Sequence, residues 1–295
     1  MGMTRRRIGF PALLALSLTL ALISCSVLRL AYYHVDSWLL GQVESFVTLN
    51  AEQRDWLEER LRAHREWHCR TQLPAYGEWL GALQAEIDAP EPAQLAALSD
   101  QLDGFIEAIL AEFAPTTAEL LVRLDSGQRT ELFNRLDQEL VEMRVKYLDP
   151  SPERRQHERA ERLEKRLKPW IGALTAEQSA RIRQWSQVLD EQGGGWLANR
   201  QRLLEAVRAV LTGSDADSAR RQLVGLFETP ATVQTADYAR QTLRARAEAL
   251  ALTADLLRLM TDRQRARLAE RIEGVRADFR ALSCGGATTV AARRF

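Results

Sequence analysis

Leu174-Thr175-Ala176-Glu177-Gln178 reads as the opening of a helix: an apolar residue, a hydroxyl that can accept a first-turn N–H, two variable positions, and a glutamine able to reach back to the threonine's own amide. The same grammar recurs at Leu49-Asn50-Ala51-Glu52-Gln53, at Leu124-Asp125-Ser126-Gly127-Gln128 and at Met260-Thr261-Asp262-Arg263-Gln264. In every copy an aliphatic residue follows the glutamine by four positions: Leu57, Leu132, Ile182 and Leu268. The pattern predicts four capping boxes, Asn50 with Gln53, Asp125 with Gln128, Thr175 with Gln178 and Thr261 with Gln264. Their intervals of 75, 50 and 86 residues are too irregular for a solenoid of fixed period. They suit a single bundle in which helix hairpins reuse one kind of turn.

Outward from these starts the periodicity is helical throughout. Leu132, Leu136, Leu140, Met143 and Tyr147 close one face of a 3.6-residue helix, and so do Leu268, Ile272, Val275, Phe279 and Leu282. Shorter stripes lie at Leu57, Leu61 and His64, at Tyr76, Leu80, Leu83 and Ile87, and at Leu163, Leu167, Trp170, Ile171 and Leu174. No β-branched run is bounded by turn chemistry. The expected fold is all-α, an irregular multi-helix bundle without a sheet. Breaks are expected at Pro90 and Pro92, across Asp149 to Pro152, at Gly193-Gly194-Gly195, at Thr212-Gly213-Ser214 and at Thr229-Pro230. Pro74 and Pro115 sit within apolar periodicity and are expected to kink helices rather than end them.

The N-terminus carries a different signal. Arg5, Arg6 and Arg7 precede an uncharged, mostly apolar run of 16 residues, Ile8 to Ile23, which is shorter than the roughly 20 needed to span a bilayer. Leu22-Ile23-Ser24-Cys25 resembles the lipobox of bacterial lipoproteins, in which cleavage precedes a diacylated cysteine. The resemblance implies a signal peptide over 1–24, a lipidated Cys25, a helical body over 25–281 and a flexible tail over 282–295. Two or three acyl chains, palmitate among them, would anchor the body stably. Ser26 stands where aspartate is the inner-membrane retention signal of enteric-type bacteria, which favours the outer membrane. Downstream, Leu28, Tyr32, Val35, Leu39, Val43 and Phe46 form a stripe with Trp38 near its edge, suited to packing into the bundle or lying among headgroups.

Composition excludes several classes. With 295 residues, 46% hydrophobic and 27% charged, the chain can bury a substantial core and is neither disordered nor a multi-span membrane protein. Its 40 basic and 40 acidic residues leave no global positive field, so nucleic acid is not an expected partner. The alternating charges from Glu153 to Lys168 read as a solvated helix face.

The Leu-Thr-x-x-Gln pattern resembles a motif of small helical periplasmic stress chaperones. A wider resemblance is to a family of all-helical bacterial envelope lipoproteins carrying a domain of unknown function. It rests on the lipobox followed by Val27-Leu28-Arg29-Leu30-Ala31-Tyr32, on Trp67-His68 with Leu73-Pro74-Ala75-Tyr76, and on Trp170 to Gln178. Cys69 departs from it, since arginine is expected after the Trp-His pair. The resemblance implies an envelope lipoprotein and supplies no catalytic residue or cofactor.

The search for chemistry is negative. There is no P-loop, no G-x-S-x-G elbow and no H-E-x-x-H, and Gly193-Gly194-Gly195 reads as a hinge or helix break. His64 and His68, four apart with Glu66 and Cys69 nearby, could begin a metal site, but two histidines on an apolar stripe more simply satisfy a core. No catalytic residue, cofactor or metal is expected. With Cys25 lipidated, Cys69 and Cys284 are the thiols left to pair in an oxidising compartment; the alternative is two free thiols. Together these readings imply a lipid-anchored, non-enzymatic module that binds an envelope protein or acts like a chaperone. The alternatives are a binder of lipid or another hydrophobic ligand, or an unrecognised hydrolase.

Overall fold

A computed structural model describes residues 31–189, 193–282 and 284. The signal segment, Cys25 and nearly all of the tail lie outside the described residues. Among those described there is no strand, and no helix is long and apolar enough to cross a membrane. Eleven α-helices follow in order: α1 Val35–Glu44, α2 Ala51–Trp67, α3 Leu73–Ala85, α4 Pro92–Arg123, α5 Ser126–Tyr147, α6 Pro152–Ile171, α7 Ala176–Val188, α8 Gly193–Gly213, α9 Ala216–Glu228, α10 Ala236–Arg258 and α11 Asp262–Ala281. A π-helical turn over His68–Gln72 joins α2 to α3, and a 3-10 turn over Pro230–Val233 precedes α10.

The two prolines expected to kink helices behave differently. Pro115 is absorbed within α4, whereas Pro74 follows the π turn, where wider hydrogen bonding accommodates a residue that has no N–H to offer. Gly193-Gly194-Gly195 is the first turn of α8 rather than a hinge between helices. At Gly195 a Cβ would meet the end of the Gln241 side chain of α10 and crowd Tyr238, so a larger residue there would require those side chains to move. Gly172, at the end of α6, has φ of +85°, a conformation glycine adopts without strain.

All four boxes are complete, each cap oxygen accepting the N–H three residues on and each glutamine accepting the cap residue's N–H. That occupies one side of each glutamine amide. The other side joins the boxes in pairs. Gln53 Nε2 donates to Gln128 Oε1 at 2.9 Å, and Gln128 Nε2 donates back to Gln53 Oε1 at 2.7 Å. Gln178 and Gln264 make the same exchange, 3.0 Å in both directions. The second hydrogen of every Nε2 goes to the carbonyl two residues before the partner's cap: Arg123 at 2.9 Å, Thr48 at 2.8 Å, Leu259 at 3.2 Å and Ala173 at 2.9 Å. Each amide therefore uses both donors and both acceptor positions. One pair joins the α1–α2 corner to the α4–α5 corner, and the other joins α6–α7 to α10–α11, each with approximate two-fold symmetry.

Apolar burial follows these joints. Leu57 and Leu61 of α2 meet Ala118 and Leu121 of α4, Val207 and Leu211 of α8 and Leu223 of α9 in one core. A second core sets Leu80 of α3 and Leu95 and Leu98 of α4 against Ile171, Leu257, Leu268 and Ile272. A third packs Ile182 of α7 on Ala160, Leu252 and Leu256. The 32 residues of α4, about 48 Å of helix, run from the second core into the first and tie them together.

Because Thr175 caps the helix that carries fully buried Gln178 and Ile182, Thr175→Ala should destabilise the body by about 0.5–2 kcal/mol. Reversible urea unfolding of the body without signal or lipid measures this, and an unchanged midpoint and slope would refute it.

Candidate functional site

Helix α5 is fixed at its start by the Asp125–Gln128 box, yet none of its 22 residues is buried. Its expected stripe is only half covered. Leu132, Phe133, Leu136 and Leu140 form one wall of a groove whose other wall is Leu203, Leu204 and Val207 of α8, with Leu121 of α4 and Phe227 of α9 at its floor. The groove holds about 340 Å³, and its one charged lining group, Arg200, is paired with Glu139 at 3.1 Å. Beyond it the helix continues outward with Val141 at 63% and Val145 at 58% exposure. Such a shape, apolar with few polar groups, suits an apolar ligand or partner segment.

At the far end of α5, Tyr147 meets Trp196 edge-on at 6.4 Å, and Lys146 and Arg162 lie over the Tyr147 ring. The charge run of α6 is here more than a solvated face. Arg154 and Arg162 pair with Glu158, and Lys165 with Glu161, at helical spacing. Arg155, however, donates to the Leu148 and Pro150 carbonyls, and Arg159 to the Ser186 carbonyl, so both hold the C-terminal ends of neighbouring helices. The sequence pattern contains no sign of these targets.

The two histidines serve different joints. His64 is buried and stacked on Phe113, with Nδ1 2.8 Å from Glu112 Oε1 and Nε2 2.8 Å from Thr116 Oγ1. Hydroxyl, imidazole and carboxylate stand in the order that activates a nucleophile. Thr116 nonetheless lies within α4, where backbone N–H groups are engaged in the helix, so no pair of donors is offered to an oxyanion. The relay holds α2 to α4. His68 Nδ1 instead lies 3.0 Å from the Tyr32 hydroxyl, and its ring meets Tyr76 edge-on. Among the described residues no three metal-ligating side chains converge.

Cys69, in the π turn, is bonded to Cys284 across a separation of 215 residues, with Cα atoms 5.4 Å apart. Leu73, Leu282, Tyr32, Tyr76 and Phe279 surround the bond. Leu282, the expected start of the tail, is buried, and Cys284 is held by the bond. Burial pushes the Tyr32 phenol up to about 12, partly opposed by the Arg65 charge, and burial also pushes the His68 imidazole below its ordinary value.

Two outcomes follow from this cluster. Denatured, non-reduced lipidated protein should show no maleimide-reactive thiol, and Cys69→Ser with Cys284→Ser should lose up to about 5 kcal/mol of stability by relaxing so long a loop; two reactive thiols before reduction would contradict the bond. Since His68 binds its proton less readily folded than unfolded, stability should be full above the ordinary histidine value. It should fall as the pH drops from there toward the lowered folded value. Urea midpoints between pH 7.5 and 5 should show this decline and should flatten in His68→Gln; a wild-type midpoint that rises on acidification would contradict it.

Residues 45–239, about two thirds of the chain, match the model of a protein family described as "Family of unknown function (DUF6279)". The matched span takes in three of the four capping boxes and the whole of the α5 groove. No curated protein and no solved structure matches the chain. The chain belongs to the DUF6279 family.

Proposed function

We propose that this protein is a lipid-anchored component of the bacterial envelope, held through Cys25 in the outer membrane facing the periplasm, and that it acts without catalysis by binding another envelope protein. The lipobox supports the anchor, and a Cys69–Cys284 bond suits an exported chain. The observation that carries the binding role is α5, which is fixed at its start by a capping box and presents an apolar stripe that the described residues leave half covered. From Leu132 to Leu140 the groove-lining stripe runs about 12 Å, enough for roughly two turns of a partner helix laid in the groove. A second reading, an acyl chain or other hydrophobic ligand, draws support from the groove's volume of about 340 Å³ and from Arg200 in its wall.

Intact-mass analysis should find acyl chains on Cys25, whereas a released body lacking them would refute the anchor. A photo-crosslinking residue at Leu140, in the lipidated protein in its native bacterium, should give a discrete protein adduct. The same residue at exposed Glu59 should not, and Leu136→Asp should abolish the adduct. A lipid-sized mass gain would favour the second reading, and equal labelling at both positions would contradict both.

A further inference from the structure

Helix α1 and the turn before it have two unlike sides. On the inner side Leu40 is buried, Leu39 and Val43 pack on the first core, and the two acids of the helix are matched to arginines of α2: Asp36 to Arg65 at 3.1 Å and Glu44 to Arg54 at 3.2 Å. The outer side carries Tyr33, Ser37, Trp38, Gly41, Gln42 and Ser45, all exposed, with His34 its only other titratable side chain. It has no aspartate, glutamate, lysine or arginine. The neighbouring helix α2, by contrast, exposes Glu52, Arg54, Asp55, Glu59 and Arg60. Trp38 is 60% exposed and Tyr33 44%, so the uncharged side also displays two large amphipathic rings.

Only Ser26 to Leu30 separate Cys25 from Ala31, where the described chain begins. Fully extended, that connection reaches about 20 Å, comparable with the roughly 15 Å length of α1 itself. A lipidated Cys25 therefore keeps Ala31, four residues before α1, within about 20 Å of the bilayer surface. An uncharged side with tryptophan and tyrosine is what the headgroup region favours, whereas a charge-rich one would stay hydrated.

We infer that the outer side of α1 rests on the membrane, with Trp38 in the headgroup region, so that the anchor and this helix together set the orientation of the body. The inference depends on the lipid anchor proposed above. Its inner contacts keep Leu39 and Val43 of the N-terminal stripe packed in the bundle, while Trp38, at the edge of that stripe, meets lipid. The disulfide cluster, which includes Tyr32, would then stand close to the same surface.

The test uses the mature lipidated protein in vesicles of phosphatidylethanolamine and phosphatidylglycerol, with or without acyl chains brominated near the headgroup. Flotation reports anchoring, and quenching reports the rings that reach lipid. Brominated vesicles should quench a component of the tryptophan emission that is absent from Trp38→Phe, a substitution at an exposed site that leaves the fold intact. Flotation with equal quenching in the two proteins would overturn the membrane contact while leaving the anchor in place. Failure of both to float would overturn the anchor and the contact with it.

Discussion

A buried amide that must satisfy four hydrogen-bonding positions permits very few arrangements of the chains around it, and this protein uses that constraint twice. Gln178 and Gln264 are both buried, Gln178 completely, so each lost bond leaves a polar group that water cannot reach. Leaving such a group unpaired costs about 1–3 kcal/mol, more than the net gain from making one bond. The exchange between the two amides sets the distance between their helix starts, the bond back to each cap sets its own helix direction, and the bond to the carbonyl before the partner's cap sets the partner's incoming helix. Four corners of the chain are thereby placed in two joints. Long α4 then has one end in the core beside each joint.

The proposed roles grow from what these joints leave uncovered. A helix fixed at its first turn needs fewer contacts along its length, and α5 departs from the Gln53–Gln128 joint with its apolar stripe open on a groove. At the other end of the α2–α3 run, the disulfide gathers the N-terminal approach, the π turn and the end of α11 into one aromatic cluster. If Cys25 is lipidated as proposed, that arrangement would set α1 at the membrane. The chain invests its rigidity in the parts that position a surface, as the proposed binding role requires.

Much of the fold was legible because its decisive signals are local. A cap and a glutamine three residues on are a property of one helical turn, and so all four starts could be read directly. Which starts pair could not, because spacing along the chain says nothing about which corners meet, and the partner carbonyls at Arg123, Thr48, Leu259 and Ala173 carry no side-chain signature at all. The same limit hid Arg155 and Arg159, whose i, i+4 neighbours suggested a solvated face while their guanidinium groups reach back to the ends of other helices. His64 announced its burial through the stripe it shares with Leu57 and Leu61, but its partners Glu112 and Thr116 are supplied by a helix nearly fifty residues away. The α5 groove was invisible for a related reason: its stripe looks identical to that of a fully buried helix, and only the packing reveals that the other described residues leave it half covered.

The central claim is that the glutamines act as reciprocal pairs rather than as four separate caps. A double-mutant cycle on Gln178→Ala and Gln264→Ala, read by reversible urea unfolding of the disulfide-intact body, measures this directly. Each single substitution should cost more than a cap alone, because it strands the partner amide, and the two should show a coupling energy of about 1–3 kcal/mol. Costs that add to within about 0.5 kcal/mol would contradict the pairing and reduce the boxes to independent helix starts.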